Sequence, residues 1–531
     1  MLRRIRGIAM SYDYVIVGAG SAGAVLAARL SADPACQVAL IEAGPDYGSA
    51  ETPEAMRSPN PHRVITEEAY ARFRWDDLTA RRTRAQAHRT YWRGRGLGGS
   101  SAVNGQIAIR GVVEDYDDWA AAGCPGWSFA DVLPAFRRLE TDERYGHEPW
   151  HGDAGPIPIS RAPIAKWGAV DQAMAEAALD LGYPWAVDHN APGALGVSPY
   201  AINNKGGVRV STNDGYLEPA RGRNNLAIFG DSLVDKVIFE GDRAVGVRLL
   251  AGGQAREVRG TTVILSAGAV HSPAILMRSG IGPEQQLKGL DIPVRAALPV
   301  GEAFQDHPAL FLPIALEPFA VPADGFRHTN LCVRYSSGLA DAGPGDMMMV
   351  AMNRFGDSLG HHVEGPKGRR EFGLLGVWVN QCVSRGRLAL ASADPRAHPV
   401  IEENMLDADS DRLRLRDGLR RLLDIARRPG VAALGPVTIS PPDGSDAEVD
   451  AWALAHAGDT QHGTSTCPMG AEDDPAAVVD PACRVRGVEA LRVIDASVMP
   501  FVVRANTHLT TVMIAEVMAE RLANGYSLGG L

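Results

Sequence analysis

The stretch that decides the fold lies near the start of the chain, where residues 12–42 read YDYVIVGAGSAGAVLAARLSADPACQVALIE. Residues 15–17 of this stretch are apolar, as in a buried parallel strand. Gly18 permits a tight turn, Gly20 lets the backbone approach a pyrophosphate, and Gly23 lets the next helix pack closely on the strand. This order of features predicts a strand, a turn and a helix that together bind a dinucleotide.

The residues that follow complete the unit. A helix over residues 21–30 would aim its N-terminal amides, beginning near Ser21, at the phosphates. A second apolar strand, Val38–Ile41, ends in Glu42, at the spacing expected for the acid that hydrogen-bonds a ribose. Strand, glycines, helix, second strand and acid in this order favour a Rossmann-type βαβ unit over a chance match of the glycine motif.

Length and composition restrict the class of protein. The chain has 531 residues, 45% of them hydrophobic and 22% charged, as in soluble globular proteins. A net charge of −10 and the lack of a Lys/Arg-rich stripe argue against nucleic acid as a partner. No segment approaches the roughly 20 apolar residues that cross a bilayer. The six cysteines are scattered without disulfide or zinc spacing, which predicts a cytoplasmic protein with no metal site.

The rest of the chain alternates between two styles. Residues 226–260 alternate apolar and polar side chains around turn signals, as antiparallel strands do. Residues 300–455 are more polar, with one amphipathic helix predicted near 412–427. The end of the chain again resembles the opening βαβ unit, with a strand at 491–494 and a helix at 509–522 that buries one face. This pattern predicts a nucleotide domain that is interrupted by a substrate domain.

Two further segments are rich in glycine. Residues 93–104 contain too many small side chains for a helix or strand interior, and they favour close contact between backbone amides and a flat or anionic ligand. An ordinary flexible loop explains the same composition equally well. In residues 268–282, Ser272 is predicted to cap a helix whose first position is Pro273, with a glycine at its end. That interpretation requires no function.

Two of the 14 histidines stand out by their context. His462 lies in a segment with little helical or strand character, and His508 lies where the last helix is predicted to begin. A histidine with a near-neutral pKa is the usual general base, although most histidines are surface or structural residues. The GxSxG letters at 525–529 are not a hydrolase elbow, because they follow a helix and no acid or histidine comes after them.

Together these segments resemble the glucose-methanol-choline (GMC) oxidoreductase family over nearly the whole chain. The FAD fingerprint of the family is similar to residues 18–42, and its two signatures are similar to residues 94–117 and 268–282. The active-site segment of the family resembles residues 462–470, in which His462 is followed by Cys467 and Met469-Gly470. The closing segment of the family is similar to residues 495–508.

The resemblance implies an α/β fold in two parts. One is a Rossmann-type FAD-binding domain assembled from discontinuous segments, and the other is an α+β substrate-binding domain on an antiparallel sheet. The boundaries that it implies are 10–158, 207–300 and 463–531 for the FAD-binding domain, and 159–206 and 301–462 for the substrate-binding domain.

The resemblance also implies roles for single residues. His462 would be the general base, and His508 would hold the substrate oxygen from the other side. Many members have Asn at the position of His508. Members with covalently bound FAD carry a histidine where this chain has Val103, so we expect non-covalent FAD. The implied cofactor-binding residues are Gly18, Gly20, Ser21, Gly23, Glu42, Ala43, Arg93, Gly98, Gly99, Ser100, Asn104, Val234, Asp495, Ala496 and Thr510.

The implied reaction is the FAD-dependent oxidation of a small aromatic or heteroaromatic primary alcohol to the aldehyde. The base removes the hydroxyl proton and a hydride passes to flavin N5, with oxygen or another acceptor reoxidising the flavin. One alternative is a dehydrogenase of a polyol or a choline-like alcohol that uses an acceptor other than oxygen. Alternatives of another class are a hydroxynitrile lyase, because plant enzymes of that kind share this fold, and a flavin-binding protein without turnover.

Overall fold

The computed structural model describes residues 12–323, 325–339, 341–355, 364–365, 368–369 and 371–525. The segment at 526–531 and the two residues that begin the predicted FAD-binding domain, 10 and 11, lie outside these ranges. The strands of the two larger sheets are β1 Tyr12–Val17, β2 Val38–Ile41, β3 Gly196–Pro199, β4 Leu226–Phe229, β5 Ser232–Glu240, β6 Arg243–Ala251, β7 Gln254–Leu265, β8 Ala309–Ala315, β9 Leu331–Tyr335, β10 Met347–Phe355, β11 Phe372–Val379 and β12 Leu491–Val493.

Eight helices of eight residues or more occur among the described residues. They are α1 Gly23–Leu30, α2 Val113–Ala121, α3 Phe129–Leu139, α4 Ala169–Asp180, α5 Gly268–Arg278, α6 Asp409–Ala426, α7 Asp446–His456 and α8 His508–Ala523.

The first large sheet is parallel where it meets the predicted dinucleotide motif. Its strand order is β4-β2-β1-β7-β6-β5, and β12 pairs with β7. The register places Val15 of β1 beside Val263 of β7 and Val17 beside Ile41 of β2. Both faces of β1 are covered, so its apolar residues are almost completely buried. β5, β6 and β7 form an antiparallel meander, and β7 extends from that meander into the parallel part. The predicted Rossmann-type α/β fold is confirmed.

The turn after β1 needs glycine for two separate steric reasons. Gly18 has φ +95°, and a Cβ atom there would lie 2.5 Å from the Ser266 carbonyl oxygen. A Cβ atom on Gly23 would lie 1.8 Å from the carbonyl oxygen of Gly18, so α1 packs directly on the turn. At Gly20, by contrast, the nearest atom is the Cα of Gly99, at 3.8 Å. The space beside Gly20 is therefore left to a ligand.

The second large sheet is antiparallel, with the strand order β8-β11-β10-β9-β3. A separate hydrophobic core lies between this sheet and the helices α4 and α6. Gly418 brings α6 close to the sheet, since a Cβ atom there would lie 2.7 Å from the Met347 Cε. Every strand of this sheet comes from the ranges predicted for the substrate-binding domain. The exact domain boundaries remain a proposal.

The local structure departs from prediction in two helices. α5 begins at Gly268, so Pro273 lies inside the helix and Ser272 is not its cap. The Ser272 hydroxyl instead donates to Asp495, at 2.6 Å. α8 is buried on all sides from His508 to Ala519 rather than on one face, because it runs through the interior beside α1 and α3. No helix among the described residues is long and apolar enough to cross a membrane.

Candidate active site

A cavity of about 390 Å³ opens at the carboxyl ends of β1, β2, β7 and β12. Ligands of open α/β sheets bind at this edge, because loops and helix N-termini converge there. Most of the residues predicted from the sequence line this cavity: Gly18, Gly20, Ser21, Glu42, Ala43, Arg93, Gly99, Ser100, Asn104, Val234, His462, Asp495, Ala496 and His508.

Three predicted residues do not line the cavity. Gly23 lies beneath the turn, as described above. Gly98 has φ +84° and donates its amide to the carbonyl of Ala19, at 2.9 Å, which joins the second glycine-rich segment to the first. The Thr510 hydroxyl lies 3.0 Å from the hydroxyl of Tyr116. These three residues lie behind the residues that line the cavity.

Glu42 organises the loops at one end of the cavity. Its buried carboxylate accepts three backbone N–H bonds, from Ala19 at 2.8 Å, and from Gly44 and Gly96 at 2.9 Å each. Burial nevertheless raises the pKa of this carboxyl above its usual value. Oε1 accepts two of these bonds and Oε2 accepts one, so Oε2 keeps a lone pair that can accept a hydrogen bond from a ribose.

Asp495 ties the end of β12 to the first turn of α5. Its Oδ2 accepts the amide of Gly268 at 2.8 Å and the hydroxyl of Ser272, while its Oδ1 accepts the amide of Ser497 at 2.8 Å. These bonds hold the α5 N-terminus against the cavity, and Gly268 has no atom within 4 Å of where its Cβ would be. The first turn of α5 is thus open to a ligand.

His462 is buried at 8% exposure, and its two ring nitrogens face different partners. Nδ1 lies 2.7 Å from the Thr460 hydroxyl and 2.9 Å from Nδ1 of His307. Nε2 lies 2.9 Å from the side-chain amide nitrogen of Asn506. Burial, followed by the charges of His307 and Arg93, lowers the pKa of His462 well below its usual value, so the ring is neutral at pH 7.

The tautomer of His462 follows from its partners. Nε2 of His307 lies 3.0 Å from the carbonyl of Val503, which only accepts, so Nε2 carries the His307 proton. Burial lowers the pKa of His307 to about 4, so the ring is neutral and its Nδ1 is an acceptor. The proton of His462 therefore lies on Nδ1, and the electron pair of its unprotonated Nε2 accepts a hydrogen bond from the Asn506 amide. A neutral imidazole with an unprotonated Nε2 is what a general base requires.

His508 begins α8 beside the dinucleotide turn. Its Nδ1 lies 3.1 Å from the hydroxyl of Ser21, and its Nε2 is buried with no hydrogen-bond partner in the structure. Burial, and then the charge of Arg209, lower the pKa of His508 to about 4. The side chain that lies beside His462 Nε2 is that of Asn506, two positions before His508. Its side-chain oxygen also lacks a partner.

The shape and lining of the cavity suit FAD. The cavity is lined both by Glu42, the acid that follows β2, and by His462. The N-terminal residues of α5 and α8 line it. Because buried polar atoms are normally hydrogen-bonded, the orphaned atoms of Asn506 and His508 indicate that a polar ligand occupies this space. The residues present fit the cofactor.

Four residues of this site were not predicted from the sequence: Asp306, His307, Thr460 and Asn506. Asp306 accepts the Thr460 hydroxyl at 3.0 Å, and His307 lies directly against His462. Asn506 appears in the sequence only as part of the closing motif. No spacing links residues near 306 to residues near 460, so only the adjacent letters Asp-His of 306–307 could have marked them.

Two groups of side chains in the described residues are compact enough to hold a cation. One is Asp306, His307 and His462, and the other is Glu140, Asp142 and His151. In both groups the ligating atoms are engaged in hydrogen bonds or arginine ion pairs, such as Arg161 with Asp142 at 2.8 Å. We therefore assign neither group to a metal.

A parallel sheet with a dinucleotide turn, a buried acid at the end of its second strand and a buried neutral histidine is typical of nucleotide-dependent oxidoreductases of the flavoprotein class. The family model described as GMC oxidoreductase matches residues 12–309, and a second model with the same description matches residues 383–515. The chain belongs to the GMC oxidoreductase family, whose members are FAD-dependent alcohol oxidases and dehydrogenases.

Named relatives agree with this assignment. The chain is 38% identical to 5-(hydroxymethyl)furfural oxidase of Methylovorus sp. (strain MP688), over 96% of this chain and 98% of that protein. It is 37% identical to oxygen-dependent choline dehydrogenase of Yersinia pestis bv. Antiqua (strain Antiqua), over 97% and 94%.

Among solved structures, pyridoxine 4-oxidase from Mesorbium loti superposes with a TM-score of 0.87 at 30% identity, over 97% of this chain and all of that one (100%). These relatives are oxidases or a dehydrogenase, so the alternatives of a lyase and of a flavin-binding protein without turnover are not supported.

Proposed function

We propose that this protein oxidises a small, neutral aromatic or heteroaromatic primary alcohol to the aldehyde, with His462 as the general base and oxygen as the electron acceptor. The observation that carries the proposal is the neutral His462 ring whose Nδ1 is held by Thr460 and His307, which leaves Nε2 to take the hydroxyl proton. Bound FAD supplies the hydride acceptor.

Two polar groups beside His462 complete the alcohol site. The unpartnered Nε2 of His508 is available to the substrate oxygen, and the amide of Asn506, which donates to His462 Nε2, can turn to that oxygen when the alcohol arrives. A positioned base contributes about 10²–10⁴ in rate. Removing the hydroxyl proton raises electron density on the oxygen and makes hydride departure easier.

The charges around the cavity favour a neutral alcohol over a quaternary ammonium. Among the described residues that line it, the carboxylates are Glu42 and Asp495, and both already accept several hydrogen bonds. The face of Trp92, which could hold a cation, already lies 5.9 Å from the Arg74 guanidinium. The ring of Trp75, which also lines the cavity, likewise lies 5.1 Å from an arginine guanidinium, so among the described lining residues a choline-like substrate lacks a free anionic or aromatic partner.

The apolar side chains of the cavity suit a flat ring instead. Ile65, Trp92, Val103 and Ile107 line the same cavity. A pocket that is mostly apolar with a few convergent polar groups is typical of small-molecule sites. Oxygen as the acceptor is supported by the names of the relatives, two of which are oxidases and one of which is called oxygen-dependent.

FAD is proposed to be held without a covalent bond. Val103 lines the cavity at 9% exposure, and its side chain has no nucleophilic atom.

The test is an anaerobic screen in which bleaching of the flavin absorbance is followed with furfuryl, benzyl, pyridoxine, sugar and choline alcohols. Fast bleaching by the aromatic alcohols, and fast return of the absorbance on adding oxygen, would support the proposal. If choline or a sugar bleached the flavin fastest, the proposed substrate class would be wrong. Slow reoxidation by oxygen would instead indicate a dehydrogenase.

A further inference from the structure

Three carboxyl groups are buried on the side of His462 that faces away from the cavity. Asp306 is 4% exposed, Glu403 is 2% exposed and Asp459 is 6% exposed. Isolated buried carboxylates are costly, so such a group is normally paired or protonated. Asp459 forms an ion pair with Arg82, whereas both oxygens of Glu403 have no hydrogen-bond partner.

An unbroken hydrogen-bonded path joins His462 to this cluster. His462 Nδ1 lies 2.7 Å from the Thr460 hydroxyl, and that hydroxyl donates to Asp306 Oδ1 at 3.0 Å. Asp306 is held in place by the amide of His307 at 2.8 Å and by the hydroxyl of Tyr91 at 2.8 Å. Since the threonine proton points to Asp306, the threonine oxygen is an acceptor, and it shares the Nδ1 proton of His462 with Nδ1 of His307, which lies 2.9 Å from the same nitrogen.

We propose that Thr460 and Asp306 form a proton relay that takes the alcohol proton away from His462 and stores it on Asp306. Asp306 is not among the residues that line the cavity, and Thr460 bonds to His462 Nδ1, so both act through His462 as positioning residues. The inference rests on the proposed role of His462 and adds where its proton goes.

The transfer balances over three groups. The alcohol proton moves to His462 Nε2, and the imidazolium so formed passes its Nδ1 proton to the oxygen of Thr460. Thr460 gives its own hydroxyl proton to Asp306 Oδ1, which becomes a carboxylic acid. His462 is then neutral again, with its proton on Nε2, and no electrons are exchanged in these steps.

Burial and the charges around Asp306 make its carboxylate a better proton acceptor than an ordinary aspartate. Burial and then the charge of Asp459 raise its pKa to about 6, while Arg93 and the hydrogen bonds of Tyr91 and of the His462 backbone act in the opposite direction. A carboxylate with this pKa is ionised at pH 7 but accepts a proton far more readily than an ordinary aspartate.

The remaining acid and base groups of the cluster lie around Asp306. Glu403 has a pKa raised well above its usual value by burial and by the negative charges of Asp459 and Asp306, so it stays protonated. Arg82 and Arg93 carry positive charge beside the cluster, and burial keeps the neighbouring His307 neutral. Asp306 is thus the member that titrates near neutral pH.

The first experiment uses infrared difference spectra of the holoenzyme between about pH 5 and pH 7, either side of the pKa of about 6. We expect a carboxylic acid C=O band that disappears as the pH rises and is missing in Asp306→Asn. In Thr460→Val the midpoint should shift upward, because the carboxylate loses a hydrogen-bond donor, whereas Thr460→Ser should leave it unchanged. A midpoint that is equal in the Val and Ser variants would overturn the relay.

The second experiment follows the rate of anaerobic flavin reduction against pH. The rate of the wild type should rise through pH 6, as Asp306 ionises. Thr460→Val should be slower by about tenfold and lose this limb, while Thr460→Ser keeps it. A purely structural role of Thr460 would lower the rate equally at every pH, and that result would contradict the relay.

The two proposals can fail separately. If no alcohol bleaches the flavin of the wild type, the proposed function is wrong, and the infrared midpoints still decide whether Thr460 couples to Asp306. If Asp306→Asn fails to fold or to retain FAD, the matched pair Thr460→Val and Thr460→Ser carries both measurements without it.

Discussion

His462 and Asn506 meet side chain to side chain, with Nε2 of the histidine 2.9 Å from the amide nitrogen of the asparagine. The two residues come from different loops, 44 positions apart in sequence. The contact identifies Nε2 as the nitrogen that faces the cavity, because Nδ1 is engaged by Thr460 and His307. It also places Asn506, rather than His508, next to the proposed base.

The first prediction concerns His462 itself. His462→Ala should lower the rate of anaerobic flavin reduction by roughly two to four orders of magnitude, because the alcohol loses its proton acceptor. FAD content and thermal stability should change little, since the ring lines a cavity. Stopped-flow absorbance with a saturating alcohol measures the rate. A rate within threefold of the wild type would remove His462 from the mechanism.

The second prediction compares two substitutions of His508. His508→Asn should retain more activity than His508→Ala, because Asn can still hydrogen-bond the substrate oxygen. Both variants should be faster than His462→Ala in the same stopped-flow assay. If His508→Ala proves slower than His462→Ala, the roles of the two histidines are exchanged.

A third prediction separates two glycines of the dinucleotide turn. Gly23→Ala should destabilise the protein, because the new Cβ would lie 1.8 Å from the Gly18 carbonyl oxygen. Gly20→Ala should fold, since the nearest atom is 3.8 Å away, yet purify with little FAD, because the methyl group occupies the space beside the phosphates. Thermal denaturation and the ratio of flavin to protein absorbance measure the two effects. Gly289→Ala, which has open space and needs no positive φ, is the control.

The fourth prediction concerns Glu42. Glu42→Ala should weaken FAD retention, because three backbone N–H groups lose their acceptor and the ribose loses its partner. An unpaired buried donor costs about 1–3 kcal/mol, so the melting temperature should fall as well. Glu42→Gln keeps one oxygen acceptor and should lie between the wild type and Glu42→Ala in both measurements. Unchanged flavin content in Glu42→Ala would contradict the assignment of Glu42.

A final prediction tests how the cofactor is attached. Acid or denaturant should release all FAD into the supernatant, because Val103 offers no atom for a covalent bond. Fluorescence of the supernatant and of the washed precipitate measures the distribution. Flavin that stays with the precipitated polypeptide would show a covalent link at another residue.

Local motifs explain why much of the site was predictable. Short stretches of sequence are enough to predict the glycine turn, Glu42 and the segments that hold Asp495 and His462. The reason is that backbone conformation and close packing depend on adjacent residues. The start of α5 was not predicted, because Pro273 and Ser272 suggest a local cap. Asp495, more than 200 residues away in the chain, binds the Ser272 hydroxyl and leaves the helix to begin at Gly268.

The sequence alone determined the family, the dinucleotide fold and two of the histidines that line the cavity, His462 and His508, since each of these is a property of short, ordered patterns. Only the tertiary structure decided which nitrogen of His462 is free and which acids lie behind it. Folding brings Asp306 and His307 to His462 from more than 150 residues away, whereas Thr460 is a neighbour of His462 in the sequence. Protonation depends on burial and on neighbouring charges, and neither is encoded at a fixed spacing in the chain.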